Sequence, residues 1–152
     1  IKGFGVLSDY AKRRVTQATG LGKIEMTKTH PAIAEHARLF EELTRKLASA
    51  TDRILRKHGK NIMNKQFATR RLADIMIDLY VLACVISRVS LALEENGVAK
   101  SSQELEILEI FSNDAKRRIQ QNLDQIDHNS DELIKSVADY AFEQEKFSWD
   151  NI

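Results

Sequence analysis

LADIMIDLYVLACVIS, residues 72–87, is apolar on nearly every side of a helix and contains neither glycine nor proline. A helix that is apolar all round is normally the buried one in its domain. Helical character extends outward from this stretch, from about Ile62 to Glu95, with Asn61 as a start cap and Gly97 just past the end. The sequence therefore predicts a long central helix around which the remaining chain packs.

Three other segments repeat apolar residues every three or four positions, which is the period of one helix face. Pro31 suits a first helical position, and Gly59 suits the position just past a helix end. Ser101-x-x-Glu104 matches a capping box. The predicted ranges are Pro31–His58, Ser101–Asp127 and a last helix from about Asn129 or Ser130, with Leu133, Val137, Tyr140, Ala141 and Phe147 on its apolar side.

The short loops between these segments make consecutive helices antiparallel neighbours. We therefore predict an all-α fold, an up-down-up-down four-helix bundle, over residues 30–152. Residues 1–29 differ in composition, since they hold four of the six glycines of the chain. We interpret them as a linker or arm that precedes the bundle.

Within that arm, Leu7–Val15 has the length and pattern of a short amphipathic helix. Two interpretations are open. The segment either packs on another protein domain, or lies in a lipid surface with its basic residues toward anionic headgroups. The candidate membrane or interdomain contacts are Leu7, Tyr10, Lys12, Arg13 and Arg14.

The net charge, the cysteine count and the absence of certain motifs exclude some classes of function. The net charge of +1 gives no basic field that would collect nucleic acid, so no nucleic-acid partner is expected. The single cysteine, Cys84, cannot form an internal disulfide. Glu-x-x-His, the ligand pair of di-iron bundles, does not occur, and neither does a phosphate-binding glycine loop, so no metal or cofactor site is expected in this chain.

Charged residues interrupt the apolar helix. Asp74 and Asp78 lie one turn apart, as paired catalytic carboxylates do, but Arg70 and Arg71 lie one turn before Asp74. We interpret the set as structural, because a buried carboxylate without a partner is costly. Arg88 either extends to the surface or meets a carboxylate on another helix or chain.

The run from Asn64 to Leu93 resembles the C-terminal domain of the very-long-chain acyl-CoA dehydrogenases. The matching motifs are Gln66-Phe67, Arg71-Leu72-Ala73-Asp74, Ile77-Asp78-Leu79-Tyr80 and Ser87-Arg88-Val89-Ser90. The resemblance covers about thirty residues, and the segment before it fits the same family in its basic helix end and short turn.

The resemblance implies an oxidoreductase of fatty-acid metabolism whose catalytic core binds FAD and precedes this domain. No FAD site and no catalytic residue then fall in this chain. The implied partners are the catalytic core, further copies in a homo-oligomer, and a peripheral membrane contact of the joining segment. The implied location is mitochondrial, or cytoplasmic in a bacterium. Structural or interface roles follow for Arg70, Arg71, Asp74, Asp78, Tyr80 and Arg88.

Two alternatives remain at the level of sequence. One is a free-standing helical bundle that acts as an adaptor or regulator, and the other is a small bundle enzyme or metal protein. The chain begins at Ile1 and not at Met, which favours a processed product or a piece of a longer protein.

Overall fold

The structure is a computed structural model that describes residues 26–144. Within that range the chain forms four α-helices and no strand. The helices are α1 (Ala34–His58), α2 (Gln66–Asn96), α3 (Ser102–Asp127) and α4 (Asp131–Glu143), with short 3-10 helices at Pro31–Ile33, Gly59–Asn64 and Val98–Lys100. The prediction of an all-α fold with four helices is confirmed.

The connections turn at the two glycines that the sequence singled out. Gly59 has a φ of 53° and Gly97 a φ of 76°, a region that glycine adopts without a Cβ clash. The helix α2 begins four residues later than predicted, because residues 59–64 form a tighter 3-10 helix. Prediction of such an end from sequence is weak, since helix ends fray into 3-10 turns.

The expected capping box at the start of α3 is wrong. Ser101 is fully buried, and its hydroxyl donates to the carbonyl oxygens of Gly97 at 3.0 Å and Ala92 at 3.2 Å. It makes no side-chain cap to α3. The hydroxyl instead fixes the start of α3 to the end of α2, which makes the turn between them tight.

The core lies where α2 contacts α1 on one side and α3 on the other. Its members are aliphatic side chains of all three helices, and along α2 they are spaced three or four residues apart. The side chains that are at most 2% exposed include Leu43 and Ile54 of α1, Ile75, Leu82 and Ile86 of α2, and Leu108 and Ile119 of α3.

In the described part of the chain, α2 is the one helix whose length and apolar composition would suffice to cross a membrane. This finding carries little weight for a membrane span. The helix is also the shared core element of α1 and α3, and core helices of that kind pass the same test.

The last helix differs from expectation. Leu133, Val137, Tyr140 and Ala141 form the predicted apolar side, yet α4 contains no buried residue. The helix is attached at its first turn and does not lie in a groove of α1–α3. The physical reason is that periodicity identifies an apolar side but not the surface that covers it. Phe147 lies outside the described residues.

Candidate docking surface

The outward side of α2 carries an exposed apolar stripe. Its inner side faces the core, and five large hydrophobic side chains remain on the other side. We define the α2 stripe as Met76, Ile77, Tyr80, Val81 and Leu91, which are 37–72% exposed. Single exposed apolar residues are ordinary, but four lie within two turns here, with Leu91 further along the same side, and apolar patches of this kind are typical of surfaces that bind a partner.

Polar residues border the α2 stripe. Arg70 and Asp74 lie beside its start, with 3.6 Å between Nε and Oδ2, and Arg70 is largely exposed. Arg88 lies near its far end, exposed, beside Cys84 and Lys28 in a shallow groove. Within residues 26–144 no ion pair of Arg88 is found. Tyr80, in the middle, is 72% exposed and belongs to the stripe.

Asp78 connects α2 to α3. Its carboxylate accepts from Arg118 Nη2 at 2.7 Å and from Nε at 3.0 and 3.2 Å. The side chains of Asp78 and Arg118 are 14% and 40% exposed. The hydrogen bonds from Arg118 to Asp78 raise the pKa of the Arg118 guanidinium. The same guanidinium lies 5.8 Å from the ring centroid of Phe111, so the pair also covers part of the core edge.

Arg71 pairs with α4 and not with Asp74. Its two terminal nitrogens donate to the two oxygens of Asp131 at 2.6 and 2.7 Å, a bidentate geometry that fixes direction as well as distance. Both side chains are nearly buried, at 13% and 15% exposed. The hydrogen bonds from Arg71 lower the pKa of the Asp131 carboxyl below its ordinary value. Lys65 donates to Glu132 beside this pair.

Beyond this first turn, no residue in the range 26–144 covers the apolar side of α4. We define the α4 face as Leu133, Ile134, Val137 and Tyr140, which are 52–66% exposed. Sequence reasoning predicted the apolar period of this helix but missed its attachment. The available signal was Asp131 and Glu132 in the first turn, where carboxylates are favoured by the helix dipole.

The remaining connections are structural. His36 Nε2 and Glu109 Oε2 lie 3.1 Å apart between α1 and α3. At the other end Arg53 donates to Asp127 at 3.0 Å. Among residues 26–144 no three His, Cys, Asp or Glu side chains are grouped so that they could hold a metal ion.

The start of the described chain is tied down as well. The Met26 amide donates to Glu41 at 2.9 Å, and the His30 amide donates to the Ser90 hydroxyl at 2.7 Å. These bonds fix the entry of the chain beside the C-terminal half of α2. The predicted contacts of the arm, Leu7, Tyr10, Lys12, Arg13 and Arg14, lie outside the described residues.

Comparison with known proteins identifies the family. Residues 31–147 match the family described as "ACAD9/ACADV, C-terminal domain". The very long-chain specific acyl-CoA dehydrogenase of mitochondria from Rattus norvegicus is 31% identical over 127 residues, which are 82% of this chain and 19% of that protein. The protein of the same name from Bos taurus is 30% identical over 136 residues, 87% of this chain and 21% of its own length.

The chain spans about a fifth of the length of these curated relatives. The match covers all four helices, including the α2 stripe and the attachment of α4. The chain therefore belongs to the family of C-terminal domains of the ACAD9 and very-long-chain acyl-CoA dehydrogenase type.

Proposed function

We propose that this chain is the non-catalytic C-terminal domain of an FAD-dependent acyl-CoA dehydrogenase of fatty-acid β-oxidation, and that it packs on the catalytic core through the α2 stripe. The exposed row of Met76, Ile77, Tyr80, Val81 and Leu91 on the central helix carries the proposal. In the proposed arrangement the domain is residues 30–152, and residues 1–29 join it to the core.

The apolar stripe is large enough to matter for assembly. Full burial of one large aliphatic or aromatic side chain contributes roughly 1.5–3 kcal/mol. Joining by the same chain removes most of the entropy that two free proteins lose on association. Partial burial of five such side chains therefore suffices to hold the domain against a tethered core. Arg88, exposed at one end of the stripe, is available to pair with a carboxylate of that core.

The surface chemistry argues against an independent enzyme. The polar groups that border the stripe are engaged with one another, as in Arg70 with Asp74, or are exposed cations, as in Arg88. In this proposal FAD and the base that removes the α-proton of the acyl-CoA belong to the preceding core. The parent protein assembles as a homo-oligomer, and it is placed in mitochondria, as the names of the relatives state for those proteins, or in a bacterial cytoplasm.

The test uses the intact parent enzyme. We compare Ile77→Asp with Met63→Asp, because Met63 is 81% exposed on the 3-10 helix after α1 and lies outside the stripe. The Ile77→Asp enzyme is expected to show a separate unfolding transition for this domain and faster proteolysis of the joining segment. The Met63→Asp enzyme should behave as the unmodified one. Identical unfolding and proteolysis of all three enzymes would reject packing through the α2 stripe.

A further inference from the structure

A groove interrupts the α2 stripe in the C-terminal half of the helix. Met76, Tyr80, Cys84 and Arg88 follow one another at steps of four, so they form one ridge of the helix surface. Cys84 is the small member of this ridge, and the groove lies beside it. Its lining on α2 includes Ala83, Cys84, Ser87 and Leu91. A partner that packs on the α2 stripe therefore meets a recess at this point.

Two cations, Arg88 and Lys28, line this groove. Within residues 26–144 neither of them forms an ion pair, and Arg88 is exposed. The one carboxylate among the lining residues, Glu94, pairs with neither cation and leaves the groove an excess of one positive charge. No acidic residue lies one turn before or after Arg88 on its own helix, where the neighbours are Cys84, Val85, Leu91 and Ala92. The groove thus has an unmatched demand for an anionic group.

The chain enters the domain beside the groove. The His30 amide donates to the Ser90 hydroxyl at 2.7 Å, and Lys28 lies two residues before this bond. The chain spans about a fifth of the length of its relatives, and its family is one of C-terminal domains. The proposed catalytic core therefore precedes this entry, and the tether keeps its local concentration high at this end of the α2 stripe.

We propose that an acidic side chain of the catalytic core enters this groove and pairs with Arg88, with Lys28 beside the pair. The pairing presupposes the proposed packing of the α2 stripe on the core and names the chemistry of one contact within it. Arginine and tyrosine are the residues that most often dominate the binding energy of an interface, and Tyr80 lies two turns from Arg88 on the same ridge.

The pair gives the contact a fixed position along α2. An apolar stripe tolerates sliding of the surface that covers it, because apolar attraction has no direction. An arginine and a carboxylate pair in a defined geometry, so they select one register and exclude surfaces that present a cation at the same point. Arg88 therefore acts as the residue that sets the orientation of the core on α2, while the apolar residues supply most of the buried area.

Zero-length cross-linking of the intact parent enzyme tests the pairing. The variant Arg88→Lys keeps the positive charge and gains an amine, which a carbodiimide couples to a carboxylate in contact with it. Mass spectrometry should find residue 88 linked to an Asp or Glu of the catalytic core. The matched control, Arg70→Lys, lies beside Asp74 and should link to that residue within the domain. A link of residue 88 only to Glu94 or to a second copy of this domain, or no link, overturns the proposal.

Filling the groove separates this pairing from packing through the stripe. Ser87→Phe adds apolar surface, so a purely apolar contact would be unchanged or tightened, whereas an acidic side chain seated in the groove would be expelled. Proteolysis of the joining segment in the intact enzyme should become about tenfold faster, which corresponds to the loss of one charge-assisted hydrogen bond. Ser49→Phe, on the exposed side of α1, is the matched control and should change nothing. If Ile77→Asp loosens the domain but Ser87→Phe and Arg88→Glu do not, the stripe packs without this pair and the present proposal fails alone. If Ile77→Asp has no effect while residue 88 links to the core, the pairing stands and packing through the stripe is rejected.

Discussion

At the scale of single residues, Asp78 shows how solvent exposure decides how much an ion pair contributes to the free energy of unfolding. A buried pair that loses one partner costs about 3–5 kcal/mol, because the other charge stays buried. Here Asp78 is 14% exposed but Arg118 is 40% exposed, so the guanidinium can return to water. We therefore expect Asp78→Ala to lower the free energy of unfolding by about 2 kcal/mol, in the range of hydrogen bonds to charged groups.

Asp114→Ala is the control for this variant. Asp114 is 53% exposed and pairs with Arg117 one turn away on the same helix, so its loss should stay within about 0.5 kcal/mol. Urea unfolding followed by circular dichroism measures both values. Equal losses in the two variants would mean that the pairing of Asp78 with Arg118 contributes nothing beyond an ordinary surface contact.

Arg70 and Arg71 are adjacent in sequence but differ in their contacts. Arg70 is 76% exposed beside Asp74, whereas Arg71 holds both oxygens of Asp131. Arg71→Gln should free the first turn of α4 and speed amide exchange throughout that helix. Arg70→Gln should leave α4 unchanged. Hydrogen exchange read by mass spectrometry separates the two, and the same α4 exchange in both variants would contradict an anchoring role for Arg71.

The same pair makes the attachment of α4 sensitive to acid. Arg71 lowers the pKa of Asp131, so the stabilisation is complete above the ordinary carboxyl pKa and is lost as pH falls through the lowered value. Protection of α4 amides, corrected for intrinsic exchange, should therefore be constant from pH 7 to about 5 and fall well below about pH 4. Asp131→Asn should remove most of this pH dependence; if it persists, other carboxylates hold the helix.

At the scale of elements, α2 is divided sharply between core and surface. Leu82 is 0% exposed and its neighbour Val81 is 37% exposed. Leu82→Ala removes buried methylenes and leaves a cavity, so it should cost about 2–5 kcal/mol of unfolding free energy. Val81→Ala should cost less than about 1 kcal/mol in the isolated chain. Thermal or urea unfolding of the pair measures this division, and similar costs would show that α2 is rotated from the position described.

The ends of these elements could be predicted from the sequence, but some of the contacts between them could not. Gly59 and Gly97 mark helix ends by a local backbone property, so they could be read from sequence alone. Ser101 could not, because its hydroxyl has carbonyls of the preceding turn and helix within reach and takes those in place of a cap. The pairing of Arg71 with Asp131 joins residues sixty positions apart, and no periodicity reports such a contact.

The prediction made from the apolar run of α2 was wrong in one respect. Its all-round apolar composition indicated a helix that is buried on every side, yet Met76, Ile77 and Tyr80 are 59–72% exposed. The core of α1 and α3 covers only the inner side. An apolar run predicts that a helix will be covered, but the chain that covers it can lie elsewhere in a longer protein. The sequence therefore predicted the apolar positions of α2 but not that some of them form an exposed surface.

At the scale of the whole molecule, the isolated chain should be catalytically silent. We expect no flavin absorbance after purification or after incubation with FAD, and no oxidation of palmitoyl-CoA with an artificial electron acceptor. The intact parent enzyme, assayed in parallel, is the positive control. A yellow chain with a flavin spectrum, or measurable turnover, would contradict the assignment of all flavin chemistry to the preceding core.

The bond from the His30 amide to Ser90 and the clamp of Arg71 on Asp131 lie on one uninterrupted helix. Nineteen residues separate Ser90 from Arg71, which is about 28 Å at the rise of an α-helix. The helix α2 thus fixes the distance between the site where the chain enters and the site where α4 is attached. A partner that contacts both sites must match this distance. Deleting four residues from the middle of α2 would shorten this distance by about 6 Å and would also rotate one site by about 40° about the helix axis relative to the other.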